Sequence, residues 1–584
     1  MKLGGGVAGS SHCKVCDYSP GRMNPIKHGP RFTADGVEFN VWAPLLSQLT
    51  LQLDGEATPM VRQDDGWFSV TRPAQVGSRY AFIGPDGQKR PDPASLRQPE
   101  GVHGESELFR TDAFSWRDGA WKGVPLERMA LYELHVGTFT EEGTLAAAEG
   151  RLQELAQLGV TCLELMPLQP FPGTRNWGYD GVSLHAVHEV YGGPAALQHF
   201  VDAAHAVGLA VCLDVVFNHF GPEGNYLPAF GHYLTSRHRS PWGDGLNYDS
   251  ADAVAVRDYM LEASERWIRE FHVDALRLDA VHAITDESAS HLVAEISTLA
   301  HREGHRTGRH VLVFAESDLN DRKVMDPEPK GWGADAAWAD DFHHALHVLL
   351  TGENDSFYRD FAEPLDALVT ALSEGFVYQG QHSIFRGRPH GTDTRGLTPK
   401  QFVFCLQNHD QVGNRPTGER ISSLVEPRAL PAVAALVTLA PGVPLLFMGE
   451  EYGETRPFQY FTSHTDPVLG KAVSEGRKAE FIFKGAEVVP DPQEPATFER
   501  SRLTHRRDGP HGALWNTYRD LLALRQKYAE EIGNHWPHVT REGTVITLAR
   551  KGFRLEVNLG PAPAGGLEGW GFRIAESAAA EARA

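Results

Sequence analysis

The sequence predicts an α/β protein whose main part is a closed (β/α)8 TIM barrel, preceded by an N-terminal β-sandwich and followed by a small C-terminal β-domain. Between residues 129 and 530, eight short apolar segments alternate with amphipathic helical segments. Eight strand–helix repeats of this kind close a parallel barrel. Residues 31–109 instead contain short alternating segments between glycine, proline and aspartate turns, which is the pattern of an antiparallel sandwich. Residues 531–584 again alternate between apolar and polar side chains and end in an Ala/Glu-rich tail.

The predicted barrel strands can be assigned to particular segments. In chain order these are LYELHVGTF, TCLELMPL, LAVCLDVVFNH, VDALRLDA, HVLVFAES, AAWADD, FVFCLQNHD and VPLLFMGEE. Each contains a short apolar run, as expected of strands that are buried on both faces. We therefore predict four regions: a flexible tail at residues 1–30, a β-sandwich resembling carbohydrate-binding domains at 31–110, a catalytic barrel at 111–530 with an insertion at about 220–250, and a C-terminal β-domain with its tail at 531–584.

The composition excludes several classes of function. Of the 584 residues, 41% are hydrophobic and 22% are charged, as in an ordinary globular protein. Asp and Glu number 76 against 55 Lys and Arg, a formal net charge of −21 that disfavours binding to nucleic acid or to anionic lipid. The sequence contains no apolar run of the ~18 residues that indicate a membrane helix, and its start has no apolar leader. We therefore predict a cytoplasmic protein with no nucleic-acid or membrane partner.

The five cysteines fall into two groups. Cys162, Cys212 and Cys405 lie in apolar runs, where a thiol usually packs as a small hydrophobe. This usage fits a reducing compartment. Cys13 and Cys16 form a CxxC pair, but a zinc site needs about four ligands and no second CxxC is present. We therefore interpret the pair as part of the tail and not as a metal site.

Polar side chains follow four of the predicted barrel strands. The carboxyl ends of barrel strands meet at one mouth, where the catalytic groups of β/α barrels lie. A single carboxylate at a strand end can be a helix cap, whereas several converging carboxylates repel one another and cost stability unless the function requires them. We therefore predict an acidic active site from these strand ends: Asp214 with Asn218 and His219, Arg277 with Asp279, Glu316, and His409 with Asp410.

Glycoside hydrolysis requires such a set, because one carboxylate attacks the anomeric carbon while another protonates the leaving oxygen. Asp279 lies two residues after Arg277 on the same strand face, so the guanidinium can lower the pKa of Asp279 and hold it as an ionised nucleophile. Glu316 ends the apolar run VLVFAE, where burial raises the pKa of a carboxyl group and keeps it protonated as a general acid. Asp410 can bind sugar hydroxyls and favour the transition state. Carboxylates on adjacent strands can lie ~5 to 5.5 Å apart, the spacing of retaining enzymes.

Around these residues the chain resembles the α-amylase family, glycoside hydrolase family thirteen. The four signature segments of that family occur in order as DVVFNH, LRLDAVHAI, FAES and LQNHDQ. The resemblance implies a barrel with an inserted domain after its third strand. It also implies that Asp279 is the nucleophile, Glu316 the acid/base and Asp410 the transition-state stabiliser. His282 stands where plain α-amylases usually carry lysine, which argues against ordinary amylase behaviour.

Three longer segments resemble one branch of that family, the maltooligosyltrehalose trehalohydrolases. They are YELHVGTFTEEGT, DVVFNHFGPEGNYL and FMGEEYGETRPFQYFTSH. Enzymes of that branch hydrolyse the α-1,4 bond next to a terminal trehalose unit and release trehalose. The resemblance therefore implies maltooligosyltrehalose and related α-1,4-glucans as substrates, a role in trehalose biosynthesis, and functional pairing with a maltooligosyltrehalose-forming synthase. Ser463 stands where the branch has aspartate, which changes one local contact.

The predicted substrate contacts are of two kinds. Aromatic rings stack on the apolar face of a pyranose, and polar groups bond to its hydroxyls. The aromatic loop Pro457–Phe461 after the eighth strand is predicted to recognise the trehalose end, because so many rings in one loop are costly unless they line a cleft. By these arguments and by the resemblance, substrate contacts are predicted at Tyr179, His219, Arg277, His282, Asp341, His344, His409, Gln411, Asn414, Phe458 and Tyr460.

Three alternatives have different sequence requirements. A glycogen branching or debranching enzyme would share the β-domain, the barrel and the three carboxylates, so the motifs separate it imperfectly. A non-catalytic glucan-binding protein on a degenerate barrel would keep aromatic residues but lose the acids, which are intact here. A metal-dependent barrel hydrolase needs clustered His and Asp ligands, whereas the histidines are scattered. We therefore predict no cofactor and no catalytic metal, since acid/base glycoside chemistry needs neither.

Overall fold

The computed structural model describes residues 26–63, 65–240, 243–483 and 488–576. The Cys13/Cys16 pair, most of the predicted tail at 1–30 and the end of the C-terminal tail lie outside these residues. The predictions made for those segments stay predictions.

Within the described residues, two antiparallel sheets precede the barrel and confirm the predicted N-terminal β-structure. Alternate residues of the strand Gly36–Trp42 are buried, with Val37, Phe39 and Val41 at most 2% exposed, because one face of each sheet packs on the core. The first sheet has the strand order Gly29–Thr33, Gly36–Trp42, Trp67–Arg72 and Val61–Arg62, and the second has the order Glu56–Pro59, Thr50–Leu53, Arg79–Ile83 and Lys89–Arg90, with Ser106–Glu107 also paired to Arg79–Ile83.

Eight parallel strands of the described residues form a closed barrel, which confirms the predicted fold class. Every residue of the fourth and fifth strands is buried, because side chains fill the barrel interior and helices cover its outer face. Cys162, Cys212 and Cys405 are buried free thiols, as predicted. In chain order the strands are β1 (Leu131–Leu134), β2 (Cys162–Leu165), β3 (Ala210–Val215), β4 (Ala275–Leu278), β5 (Leu312–Ala315), β6 (Ala336–Trp338), β7 (Phe402–Cys405) and β8 (Val443–Phe447).

Helices connect the barrel strands. The α-helices are Val136–Phe139, Leu145–Glu149 and Leu152–Leu158 after β1; Gly193–Ala206 after β2; Leu227–Phe230 and Ala253–Arg269 after β3; Leu292–Thr307 after β4; Asp340–Thr351 and Pro364–Glu374 after β6; His409–Gly413, Ile421–Leu424 and Leu430–Thr438 after β7; and Pro467–Phe483, Pro495–Arg500, Gly509–Lys527 and Ala529–Asn534 after β8. Short 3-10 helices are Thr111–Ala113, Leu126–Arg128, Glu189–Tyr191, Val281–Ala283, Arg322–Val324, Ser356–Phe361, Pro399–Gln401, Pro427–Ala429 and Glu450–Tyr452. Among the described helices, none combines the length and apolar character needed to cross a bilayer.

Further strands lie outside the barrel. The segment after β3 contains an antiparallel strand pair, Leu234–Ser240 with Gly243–Leu246. The segment before β7 contains a shorter pair, His382–Ser383 with Arg388–Pro389. After the last helix, an antiparallel sheet follows chain order through His538–Glu542, Val545–Ala549, Phe553–Asn558 and Phe572–Glu576, which confirms the predicted C-terminal β-structure.

The strand register places the strand-end residues at one level of the barrel. Asp214 of β3 pairs with Arg277 of β4. The ladder continues beyond the strands, because the backbone nitrogen of Asp279 donates to the oxygen of Val215 over 3.1 Å. The backbone nitrogen of Glu316 likewise donates to the oxygen of Leu278 over 3.0 Å. The side chains that follow neighbouring strands therefore meet at the carboxyl-terminal mouth.

Candidate active site

A buried arginine organises the acidic mouth of the barrel. Arg277 is 0% exposed. Its Nη1 donates to Oδ1 of Asp279 over 2.7 Å and to the two carboxylate oxygens of Asp214 over 2.9 and 3.0 Å. Its Nη2 lies 3.6 Å from Oε2 of Glu316. One guanidinium therefore contacts carboxylates from three adjacent strand ends and offsets their mutual repulsion. The predicted pairing of Arg277 with Asp279 is confirmed.

Asp279 is held as an ionised group. Burial raises the pKa of its carboxyl group, but the charge of Arg277 and a hydrogen bond from Asn218 outweigh burial and lower the pKa overall. Nδ2 of Asn218 donates to Oδ2 of Asp279 and also to its backbone oxygen, each over 2.7 Å. Asp279 therefore has the charge state and the fixed orientation that a nucleophilic carboxylate needs.

Glu316 lies in the opposite electrostatic environment. Burial raises the pKa of its carboxyl group, and the charge of Asp279 adds to this rise against the opposing effect of Arg277. Oε2 of Glu316 accepts a hydrogen bond from the backbone nitrogen of Ala280 over 2.6 Å. Ala280 has φ +40°, in the left-handed region that residues with a Cβ rarely adopt, so the chain turns sharply after Asp279. A protonated Glu316 beside an ionised Asp279 can perform acid-assisted displacement.

The turn after β7 positions Asp410. Oδ1 of Asn408 caps the helix His409–Gly413 by accepting from the backbone nitrogens of Asp410 and Gln411 over 3.0 and 3.1 Å. The side chain of Asp410 is 49% exposed at the mouth, and its Oδ1 accepts from Nδ2 of Asn414 over 3.1 Å. The cap therefore determines where this third carboxylate projects.

His409 lies beside Asp410 and bonds to a further buried carboxylate, Glu133. Its Nδ1 donates to Oε1 of Glu133 over 2.5 Å, and its backbone nitrogen donates to Oε2 of Glu133 over 2.9 Å. Burial lowers the pKa of His409, but the charges of Asp410 and Glu133 outweigh burial and raise the pKa to about 9. Glu133 was not predicted from the sequence, although a glutamate inside the apolar strand LYEL is an unusual residue for a buried position.

Tyr179 and His219 surround the same carboxylates. The hydroxyl of Tyr179 donates to Oδ2 of Asp214 over 2.6 Å, and its ring stacks on His409 with centroids 5.1 Å apart. Nε2 of His219 donates to the backbone oxygen of Tyr179 over 3.0 Å, and Nδ1 of His219 contacts Asn218. The structure thus brings both predicted contacts next to the acidic mouth.

A cavity of about 820 Å³ opens beside Glu316 and Asp410. Its wall includes Phe357 and Phe385, which are 37% and 44% exposed and have ring centroids 6.1 Å apart. Rings interleaved with polar groups are the composition expected of a sugar-binding cavity. Polar or charged lining residues include the predicted contacts His344, Gln411 and Asn414, together with Asp318, Asp340, Glu353, Arg386 and Arg415.

Asp341, a predicted substrate contact, is bonded to a loop beside the main cavity. Oδ2 of Asp341 already accepts hydrogen bonds from Asn320 and from the backbone nitrogens of Val377 and Tyr378, over 2.7 to 3.0 Å. Asp341 therefore anchors the neighbouring loop and lines a small pocket beside the main cavity, and its predicted substrate contact stays a prediction. Asp340 lines the main cavity itself. Burial raises the pKa of Asp340 well above its usual value, and the charges of nearby carboxylates add to the rise.

The aromatic loop Pro457–Phe461 does not form the predicted cleft wall. Phe458 is 0% exposed, stacks on Trp177 with centroids 5.3 Å apart, and packs edge-on against Phe447 at 5.2 Å. The prediction that Phe458 binds substrate is therefore wrong, because its ring is part of the hydrophobic core. Tyr460 is only partly buried, and its ring is nearly perpendicular to that of Trp177 with centroids 5.2 Å apart.

Two residues that depart from the family pattern also have local roles. The side chain of His282 is 28% exposed, and its Nδ1 lies 3.7 Å from Oδ1 of Asp318, a residue of the cavity wall. Oγ of Ser463 accepts from the backbone nitrogens of Thr174 and Arg175 over 2.8 Å each. Ser463 therefore ties the loop after β2 to the segment after β8.

Comparison with known proteins agrees with this geometry. The family described as alpha amylase, catalytic domain, matches residues 112–244. Together with the closed barrel and its acidic mouth, this match defines a glycoside hydrolase of the α-amylase type. The chain is 47% identical to the Malto-oligosyltrehalose trehalohydrolase of Rhizobium sp. (strain M-11) over 508 residues, which cover 84% of this chain and 85% of that protein. It is 44% identical to the protein of the same name from Saccharolobus solfataricus over 526 residues, 88% of this chain and 91% of that protein. The chain belongs to the malto-oligosyltrehalose trehalohydrolase family.

A solved structure extends the likeness to three dimensions. A 1.4 Å crystal structure of a Salmonella typhimurium protein, described as a candidate alpha amylase, superposes with a TM-score of 0.88 at 39% identity. The superposition covers 94% of this chain and 99% of that protein. The barrel and both flanking β-structures are therefore shared.

Proposed function

We propose that this protein is a retaining glycoside hydrolase that cleaves the α-1,4-glucosidic bond next to the terminal trehalose of maltooligosyltrehalose and releases trehalose. The observation that carries the proposal is the contact of one Arg277 guanidinium with both Asp279 and Glu316. Two carboxyl groups that share one guanidinium are close neighbours, which supports the short spacing of ~5 to 5.5 Å found in retaining enzymes. Relatives named Malto-oligosyltrehalose trehalohydrolase support this substrate.

The proposed reaction has two balanced steps. Asp279 attacks the anomeric carbon while Glu316 gives its proton to the glycosidic oxygen, so trehalose leaves and the glucan becomes an ester on Asp279. Ionised Glu316 then takes a proton from a water molecule, whose oxygen attacks the anomeric carbon and frees Asp279. We assign to Asp410 the binding of ring hydroxyls as the sugar distorts, an interaction that is stronger in the transition state than in the ground state.

The cavity wall supports a trehalose-binding role. Phe357 and Phe385 are exposed on the same wall that carries Asp340 and Arg386. Rings of this kind can stack on the apolar faces of two glucose units, while carboxyl and guanidinium groups bond to their hydroxyls. We therefore assign the terminal trehalose to this cavity and the remaining glucan to the other side of Asp279.

The substrate itself implies a preceding reaction. A chain that ends in trehalose has no reducing end, so an enzyme must first convert the reducing-end glucose of an α-1,4-glucan into a trehalose unit. We propose functional pairing with such a maltooligosyltrehalose-forming synthase, in trehalose biosynthesis. The buried free thiols fit a reducing compartment, which supports the predicted cytoplasmic location.

The deciding experiment compares two substrates of the same length. Purified protein is incubated separately with maltotriosyltrehalose and with maltopentaose, and the released sugars are separated by chromatography. We expect rapid formation of trehalose from the first substrate and little attack on the second. Cleavage of both substrates at similar rates would instead support an amylase. Longer branched products with an altered iodine stain would support the branching-enzyme alternative.

A further inference from the structure

One of the buried carboxylates that the proposed two-step reaction does not use is Glu133. Glu133 of β1 is 1% exposed, and both of its oxygens bond to the same residue. Oε1 accepts from Nδ1 of His409 over 2.5 Å, and Oε2 accepts from the backbone nitrogen of His409 over 2.9 Å. On the opposite side of the ring, Nε2 of His409 lies 3.5 Å from Oδ1 of Asp410. The imidazole ring is therefore placed between two carboxylates.

We propose that Glu133 is a positioning residue for glucan cleavage: it holds His409 with both ring nitrogens protonated, so that Nε2–H faces Asp410 and fixes the carboxylate of that residue. Because Glu133 accepts hydrogen bonds from both the ring and the backbone of His409, the ring cannot turn without losing a buried hydrogen bond. The face of the ring stacks on Tyr179 at 5.1 Å, and its surroundings include the edge of Trp177 at 5.7 Å. The inference rests on the proposed function only in requiring that Asp410 take part in glucan cleavage.

The protonation state follows from the geometry. Nε2 of His409 is buried and has no hydrogen-bond partner among the described residues. A neutral ring with its proton on Nδ1 would place the Nε2 lone pair 3.5 Å from the Asp410 carboxylate, and the two would repel each other. A proton on Nε2 replaces this repulsion with attraction between an imidazolium and a carboxylate.

Several charged or titratable groups surround this ring, and their effects differ in sign. Burial lowers the pKa of His409, the charges of Asp410 and Glu133 raise it, and the charge of Arg277 opposes them, with a resulting pKa of about 9. Other titratable groups that interact with His409 include His135 at the end of β1, Glu164 of β2, Asp214 of β3 and the stacked Tyr179. Removing the charge of Glu133 leaves burial and Arg277 in place, so the pKa of His409 must fall.

The test is the pH profile of kcat/KM for Glu133→Gln with α-maltosyl fluoride as substrate. Fluoride leaves without a proton from Glu316, so ionisation of that general acid does not determine the alkaline limb. For the wild type we expect kcat/KM to decline with a midpoint near the His409 pKa of about 9. For Glu133→Gln we expect the midpoint of the alkaline decline to lie at least about one pH unit lower. At a pH above both midpoints, kcat/KM of this variant should then be about tenfold lower than that of the wild type.

Glu164→Gln is the matched control. Glu164 lies opposite Glu133 in the strand register and is also 1% exposed. Burial raises the pKa of Glu164 above its usual value, and neither of its carboxylate oxygens has a hydrogen-bond partner among the described residues, so replacement by an amide breaks no hydrogen bond to His409. We expect the wild-type pH profile from this variant. Thermal unfolding of both variants checks that they fold.

The outcomes are distinguishable. If the alkaline limb of Glu133→Gln coincides with that of the wild type, the proposal is overturned, even where activity falls uniformly. If Glu133→Gln does not fold, His409→Gln supplies the second measurement: a glutamine does not titrate, so a limb that persists near pH 9 overturns the proposal. Maltosyl fluoride contains no trehalose, and a failure of the proposed substrate specificity would therefore leave this comparison valid.

Discussion

The backbone nitrogen of Ala280 donates to Oε2 of Glu316 over 2.6 Å. Ala280 directly follows Asp279, so the turn that ends one carboxylate's strand also orients the other carboxylate. When Glu316 is protonated, this bond favours a proton on Oε1, because Oε2 already accepts a hydrogen bond. The two candidate catalytic groups are thus joined through the backbone as well as through Arg277.

We expect Glu316→Gln to lower kcat/KM for maltotriosyltrehalose by ~10² to 10⁴-fold, because the variant cannot protonate the leaving oxygen. The same variant should lose far less activity on maltosyl fluoride, whose leaving group needs no proton. Asp279→Asn should lose activity on both substrates, since it removes the nucleophile. Initial rates and far-ultraviolet circular dichroism check these expectations. Near-normal trehalose release by either variant would contradict the assignment.

Replacing Phe385 by alanine should reduce the preference for trehalose-terminated chains. Its ring is 44% exposed in the cavity wall, and loss of one stacking contact of ~0.5 to 1.5 kcal/mol lowers kcat/KM by about 2- to 10-fold. We expect this loss with maltotriosyltrehalose and a smaller one with maltopentaose. Ile384→Ala is the control, because Ile384 is 65% exposed on the same hairpin and should leave both rates unchanged. Equal losses on the two substrates would refute the assignment of trehalose to this wall.

Phe458→Ala should affect stability and not specificity. The ring is fully buried between Trp177 and Phe447, and removing a buried phenylalanine side chain costs ~3 to 5 kcal/mol of unfolding free energy. Tyr460→Ala should cost less, because Tyr460 is only partly buried. Denaturant unfolding measures both effects. A stable Phe458→Ala protein with an altered ratio of rates on the two substrates would restore the original interpretation of the loop.

Stability should depend on pH through His205. Its Nδ1 lies 2.9 Å from Oδ2 of Asp118 and its Nε2 lies 2.8 Å from Oδ2 of Asp274. Burial lowers the pKa of His205, but these two hydrogen bonds outweigh burial and raise the pKa above its usual value. The stabilisation is therefore fully present below the unfolded-state pKa of about 6.5 and is lost as the pH rises through the folded-state pKa.

We expect the Tm of the wild type to fall more steeply above pH 6.5 than the Tm of His205→Gln. Differential scanning calorimetry across neutral and alkaline pH makes the comparison. His199→Gln, at an exposed histidine of the same helix, is the control and should follow the wild-type curve. Parallel curves for the wild type and His205→Gln would show that the two hydrogen bonds do not depend on a charged imidazole.

The sequence determined the barrel and most of its acidic mouth. Barrel strands are buried on both faces, so each is a local apolar run that can be recognised without knowledge of its neighbours. Because all strands of a parallel barrel end at the same mouth, polar residues after those runs must converge there. The pairing of Arg277 with Asp279 was also predictable, since a spacing of two residues places both side chains on one strand face.

Only the tertiary structure decided which residues complete the site. Glu133 and His409 are 276 residues apart, and no local pattern connects them. Asp340 lines the cavity, as does Trp338 two residues earlier. The family resemblance alone points instead to the neighbouring Asp341 as a substrate contact. Phe458 is in a loop whose composition suits a cleft wall or a core equally well. Its burial depends on where Trp177, from a different loop, packs. Local sequence specifies strands and strand ends, but contacts between distant loops depend on how the whole chain packs.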